Sequence, residues 1–506
     1  MILCITANVH RGDTNGMSNS SAQTTAPEDR IPFLQKVIYG LGGFVNNLLG
    51  AAIGGMVAVL NIGLGMNPAL VGLVAALPRI MDAFTDPMMG YISDNTQSRW
   101  GRRRPYIFIG AIVVAIVFAL LWQLPRGVSE SYLFWYFLGG SLIFYLAYTM
   151  FATPWVALGY ELTPDYNERT RLMGVQNFFA QLAFVVSPWF LAIMQWDMFD
   201  DMVDGAEGLG YIIAILVVLV GVLPAIFLRE RLSNDVAIDC PVDEDEAKES
   251  LGAALIRNLR CFFAGFLTTL KFKPYLKLCA ATFLVFNGFM LIASFQLYVF
   301  IYYVFGGDTE AGSNYFGIAG TVQTVSSFAI IVLITFMATR FGKRKTLMAA
   351  IAISMIGYAL KWVCYNPEIP WLVIVPAPFM AFGLGALFTL MPSMIADVVD
   401  ADELNTQERR EGMYGSIFWW VVKLGMAAAL AAGGFLLNAT GFDVALAGAQ
   451  SQETLTMMRI FDAFIPVATS ALAIWAILSF SITEERARAI REELERRRGT
   501  MDALPA

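Results

Sequence analysis

Histidine is almost missing. The chain of 506 residues has one, His10, in a polar N-terminal stretch. That excludes a histidine proton relay inside a membrane and a His-based metal centre. Cysteine is scarce as well. Cys4, Cys240, Cys261, Cys279 and Cys364 have neither the spacing of a zinc site nor that of a disulfide framework, so they read as reduced thiols. Charge is the third shortage: 15% of residues are charged, against about a quarter in a soluble domain. The net charge of -7 comes with no basic surface, so no nucleic-acid partner is expected. No nucleophile–base or metal constellation stands out, which argues against an enzyme.

Hydrophobic residues make up the difference, at 57% with a mean hydropathy of +0.60. They come in long blocks such as IFIGAIVVAIVFALLWQLP after Tyr106 and YIIAILVVLVGVLPAIFL from Tyr211. A run of about 20 apolar residues crosses a bilayer. Twelve such spans are predicted, giving an all-α, polytopic membrane protein. They cover 34–62, 69–92, 106–125, 132–158, 171–195 and 210–228, then 275–304, 315–339, 346–365, 371–398, 412–438 and 458–480. The division is a polar tail (1–33), a six-helix half (34–228), a central loop (229–274), a second half (275–480) and a charged tail (481–506). The tail sequence EERARAIREELERRR is expected to form a solvated helix, and the basic stretch from Arg257 to Lys277 an amphipathic linker on the membrane surface. The apolar patch ILCITANV is too short for a signal peptide, which leaves open whether translation starts at Met1 or Met17.

Loop charges set the orientation. Arg99, Arg102, Arg103, Arg104, Arg169, Arg171, Arg340, Lys343, Arg344, Lys345, Arg409 and Arg410 flank loops on one side, against Arg126 alone on the other. The basic side is expected in the cytoplasm, with both termini. The acidic stretch WDMFDDMVDGAEG is expected as a loop on the opposite side. A repeat supports two halves: RWGRRRPYIFIGAI follows the second span, and RFGKRKTLMAAIAI follows the eighth.

The second span contains RIMDAFTDPMMGYISD. Asp82 and Asp86 are four residues apart and share a helix face, with Arg79 close to it. A charge at the bilayer centre costs at least about 2.5–3.5 kcal/mol, so the group needs partners and an inward-facing position. Arg79 can neutralise one carboxylate. A bound cation held by both carboxylates and a hydroxyl such as Thr85, or a proton on one aspartate, can account for the other. Lys423, deep in an apolar helix, is a functional candidate on the same ground.

The stretch RIMDAFTDPMMGYISDNTQSRWGRRRPYIFIGA resembles the signature of the glycoside–pentoside–hexuronide:cation symporters, the melibiose-permease-like branch of the major facilitator superfamily. YGLGGFVNN (39–47), YTMFATPWVAL (148–158), NERTRLMGVQNFFAQLA (167–183), ADVVDADE (396–403) and EGMYGSIFWWVVKLG (411–425) extend the resemblance along the chain. It implies that Asp82 and Asp86 bind the coupling cation, that Thr149 adds a hydroxyl, and that Lys423 lies near cation and sugar. The sugar site departs from the pattern. Where the melibiose permease grips sugar with two carboxylates and an arginine, this chain has Asn47, Ala152 and Asn177, and Thr85 replaces a family asparagine.

The expected function is cation-coupled sugar symport by alternating access, in a plasma membrane of bacterial inner-membrane type. A proton-coupled sucrose-type carrier and a non-transporting sugar sensor are the alternatives. No cofactor is expected beyond a coupling ion, Na⁺ or H⁺, and a monomer suffices. Amides that pair with hydroxyls and indoles that stack on sugar rings nominate Asn46, Asn47, Trp155, Gln176, Asn177, Gln181, Asn287, Gln296, Gln323, Trp419 and Trp420 as substrate contacts.

Overall fold

The computed structural model describes residues 30–499 apart from 95, 97, 164, 165, 231–268, 270 and 407–410. His10, the alternative start at Met17, the acidic part of the central loop, most of the Arg257–Lys277 stretch, and Arg409 and Arg410 lie outside the described residues. Twelve described helices are long and apolar enough to span a membrane. They are α1 (Phe33–Ile62), α2 (Pro68–Ser93), α3 (Arg104–Leu121), α4 (Glu130–Glu161), α5 (Arg171–Ile193) and α6 (Met202–Phe227). The second six are α7 (Lys273–Val304), α8 (Thr309–Phe341), α9 (Lys343–Cys364), α10 (Pro370–Thr406), α11 (Ile417–Ala439) and α12 (Gln452–Leu478). A thirteenth helix, α13 (Glu484–Gly499), follows. Cys279 and Cys364 are free, buried thiols in α7 and α9.

Local chemistry explains where helices begin. At the end away from the basic loops, side chains accept hydrogen bonds from first-turn amides. Ser129 caps α4, Asp201 caps α6, Asp308 caps α8 and Ser451 caps α12. The cap on α6 corrects the sequence reading. Asp201 receives the amides of Val203 and Asp204, so MVDGAEG forms two helical turns instead of loop. Asp204 in the first turn also suits the helix dipole. The α13 helix differs from expectation in another way. It forms, but Ile490 and Leu494 are buried against the second half, so one face is packed rather than solvated.

The basic end shows the duplication in three dimensions. In the first half, Gly101 turns the chain with a positive φ of 104°, and Glu230 accepts from the amides of Arg102, Arg103 and Arg104 at 2.7, 2.8 and 3.0 Å. Arg102 and Arg103 both reach Glu161 at the end of α4. Arg104 donates to the final carbonyls of α6, Ala225 O and Ile226 O. The second half repeats this with different residues. Gly342 turns at φ 85° with the Glu484 carboxylate against it. Lys343 pairs with Asp397 of α10 at 2.6 Å, and Arg344 donates to Leu478 O at the end of α12. Helices α3 and α9 start with cationic side chains, which the helix dipole disfavours. A carboxylate placed just beyond the sixth helix of each half offsets that.

The halves meet at the opposite end. Gly434 of α11 approaches Pro68 O of α2 so closely that a Cβ there would collide. Asn438 donates to Asn67 Oδ1 at 2.9 Å. Between α5 and α8, Trp189 Nε1 donates to Thr321 at 2.8 Å and Gln195 to Ser313 at 3.0 Å. The hydrogen bonds and ion pairs just described at the basic end each stay within one half.

Candidate functional site

Where α2 packs on α11, the charged residues of the second span come together. Asp82 is fully buried and Asp86 is 33% exposed. Lys423 of α11, 28% exposed, makes a close ion pair with Asp86 and stands 3.9 Å from Asp82 Oδ2. Arg79 is also 3.9 Å from that oxygen, and its guanidinium lies 4.6 Å over the Tyr145 ring. Two acids and two bases therefore balance. The balance is uneven, because Asp82 Oδ2 has no hydrogen-bond donor among the described residues and only these distant cations.

Hydroxyls of α4 complete the site. Thr149 Oγ1 lies 3.0 Å from Asp86 Oδ1, 3.5 Å from Asp82 Oδ1 and 3.4 Å from Thr85 Oγ1. Thr153, one turn further along α4, is 3.4 Å from Asp86 Oδ1. All six residues expected at the cation position, Arg79, Asp82, Thr85, Asp86, Thr149 and Lys423, are thus neighbours. Thr153 was missed by sequence reasoning, although its spacing of four from Thr149 is a legible signal. Prolines follow two of these residues, Pro87 after Asp86 and Pro154 after Thr153. A proline inside a helix leaves the carbonyl four residues earlier without its usual amide, so Ala83 and Met150 have carbonyls outside the helical ladder.

The expected sugar contacts divide. Trp155 is buried, stacked on Tyr39 with ring centroids 5.0 Å apart, and its Nε1 donates to Tyr39 O at 3.3 Å. It packs α4 on α1. Asn47 donates to Gly43 O and Asn287 to Phe283 O, each within its own helix. Asn46 Oδ1 accepts from Tyr148 at 2.8 Å, which ties α1 to α4. Gln176 lies against Gly43, and Gln296 is buried. The first five of these serve contacts between or within helices. Asn177 is exposed, and Gln181 and Gln323 are half-buried. Trp420 is half-buried against the core of the second half. Trp419 is 55% exposed and stacks on Phe388, one turn from Lys423.

Comparison with known proteins agrees with this architecture. The family model described as MFS/sugar transport protein matches residues 38–484. An isoprimeverose transporter of Lactiplantibacillus pentosus is 23% identical, with 96% of this chain and 97% of that one covered. The sodium-dependent lysophosphatidylcholine symporter 1 of Gallus gallus is 23% identical over 92% of this chain and 90% of that one. A bacterial homolog to the human lysosomal transporter Spinster, solved inward-facing and unoccupied, has the same fold, with a TM-score of 0.62 at 14% identity and coverage of 91% and 97%. The chain belongs to the MFS/sugar transport protein family: it is a melibiose-permease-like, twelve-helix membrane transporter of the major facilitator superfamily and not an enzyme.

Proposed function

We propose that this family member is a cation-coupled glycoside symporter that works by alternating access, with the cation at Asp82 and Asp86. The observation that carries the reading is the position of Lys423. Its ammonium sits on the paired carboxylates, yet it comes from the other half of the molecule. A cation entering the site supplies the charge that Lys423 supplies without it. Cation binding therefore releases a tie between the halves. Thr85 and Thr149 offer neutral oxygens to the ion, and Arg79 stays with Asp82. The isoprimeverose transporter and the sodium-dependent symporter among the relatives support a glycoside as cargo and sodium as its partner.

The glycoside would bind between the halves beside this site. An exposed amide at membrane depth is stable only against a water-filled cleft, which favours Asn177, with Gln181, Gln323 and Trp419, over the amides already bonded within helices. With no charged grip, a neutral sugar suits these groups. If the basic loops lie in the cytoplasm, the closed end is the outer one and the cleft opens inward. Coupling follows from reciprocity: whatever the ion adds to sugar affinity, the sugar adds to ion affinity.

The test uses the purified carrier, melted with a panel of mono- and oligosaccharides, with and without sodium. A sugar that stabilises more strongly in sodium identifies the cargo and the coupling together. In cells, Asp86→Cys is expected to abolish accumulation against a gradient while the protein still inserts. Normal accumulation by that variant would overturn the assignment.

A further inference from the structure

Resting on the cation site proposed above, we propose that Thr153 is a further ligand of the coupling ion. With it, three threonine hydroxyls make the site a cage for a coordinated alkali cation rather than a seat for a bare proton.

Three observations lead there. The first is direction. The Thr153 methyl faces Gly90 of α2, whose missing side chain would stand 3.8 Å from it, and this turns the hydroxyl to Asp86. The second is spacing. A hydroxyl donating to a carboxylate closes to about 2.5–2.7 Å. Here the contacts are Thr153–Asp86 at 3.4 Å, Thr149–Asp82 at 3.5 Å, Thr149–Thr85 at 3.4 Å and Thr149–Asp86 at 3.0 Å. Hard cations hold oxygens at roughly 2.3–2.6 Å, so neighbouring ligands at right angles around one are about 3.3–3.7 Å apart. Most of the observed separations fit ligands around an ion better than mutual hydrogen bonds. The third is donor supply. Thr149 has one proton and three acceptors within reach, and among the described residues no donor reaches the fully buried Asp82 Oδ2. A proton on one carboxylate needs a single acceptor. It leaves three neutral oxygens from two helices without purpose.

The test is sodium alone, titrated against choline at constant ionic strength and pH, with the melting temperature of the purified full-length carrier as readout. The wild type is expected to be stabilised by sodium. Thr153→Val keeps the shape and removes the oxygen, so its half-saturating sodium concentration should rise roughly tenfold or more. Thr153→Ser restores a hydroxyl and should return to within about threefold of wild type. The half-saturation is read, not the melting temperature itself, so a general loss of stability does not imitate the effect. Asp86→Asn should not respond to sodium. If Thr153→Val titrates like wild type while Asp86→Asn does not respond, Thr153 is no ligand and the cation site stands. If Asp86→Asn titrates like wild type, the cation site itself is misplaced. A wild type that responds to pH and ignores sodium overturns the cage.

Discussion

Deep within the described membrane helices, the Lys361–Asp462 pair and the Asp82–Asp86 group are built differently. Lys361 of α9 and Asp462 of α12 form a 2.7 Å ion pair, with each side chain 1% exposed. Aromatic rings close over them. Lys361 faces Tyr365, and nearby Arg459 lies between Tyr303 and Trp362 at 4.2 and 4.3 Å. Every partner belongs to the second half. In the Asp82–Asp86 group both cations stand 3.9 Å from Asp82, one Asp82 oxygen has no hydrogen-bond donor among the described residues, and the lysine comes from the opposite half. Charge in a membrane helix does not by itself mark a working site. A pair that is sealed, matched and confined to one rigid half serves assembly. A group left partly unsatisfied across a moving boundary is one that an ion can reorganise.

The sharpest way to break this contrast is to remove one member of the sealed pair. Lys361→Met or Asp462→Leu leaves an uncompensated buried charge, at a cost of about 3–5 kcal/mol. Each single variant should melt far below wild type. The double variant should recover most of the loss, because an apolar pair of similar volume replaces the ion pair. The double variant's sodium response should match wild type. Loss of that response would make the two groups one system and end the distinction.

At the open group the order of effects reverses. Lys423→Met should cost little stability, since the side chain is partly exposed. It should lower the sodium concentration for half-saturation by about tenfold, because the competing ammonium is gone. Sugar-dependent stabilisation should then lose its sodium dependence. Weaker sodium binding in that variant would show that Lys423 supports the ion rather than substituting for it.

A third charged group, at the basic end where water reaches, gives the smallest effect. Glu168 accepts from Lys36 at 2.6 Å, from the Ile31 amide at 2.9 Å and from Arg171 at 3.2 Å. Burial pushes its carboxyl up, but the hydrogen bonds from Lys36 and the Ile31 amide outweigh burial and hold it below its ordinary value. A folded-state value below the unfolded one adds stability that is complete above the unfolded value and lost as pH falls through the folded one. Wild type should exceed Glu168→Gln by about 1–2 kcal/mol at neutral pH, and the gap should close in acid. Thermal unfolding of both proteins across pH checks the sign.

Much of this was legible in the sequence because apolar length and paired charge are local signals. The twelve spans and the approach of Asp82, Asp86 and Arg79 follow from spacing along one helix. Lys423 could be singled out for its setting, but its seat on Asp86 depends on how two distant helices pack. The sugar contacts were least legible. Asn47, Asn287 and Trp155 have the right chemistry for hydroxyls, yet their polar groups are taken by carbonyls, and composition does not report which way a side chain turns. Helix starts were misjudged where polar residues extend a helix beyond its apolar run, as Asp201 does for α6. Lys361 stands alone in an apolar stretch and Asp462 has only Arg459 near it in sequence, so only the fold pairs Lys361 with Asp462.

The carboxylates at the two basic turns bear on how the gene can be handled. Glu230 follows the first six helices and Glu484 the second six, and each seats on the glycine turn of its own half. A coding sequence cut between them yields two polypeptides, each carrying its own turn, its own acid and its own capped helix ends. Neither fragment borrows this fastening from the other. A reporter fused directly after Leu478, by contrast, would strip one product of its clasp while leaving all twelve membrane helices encoded.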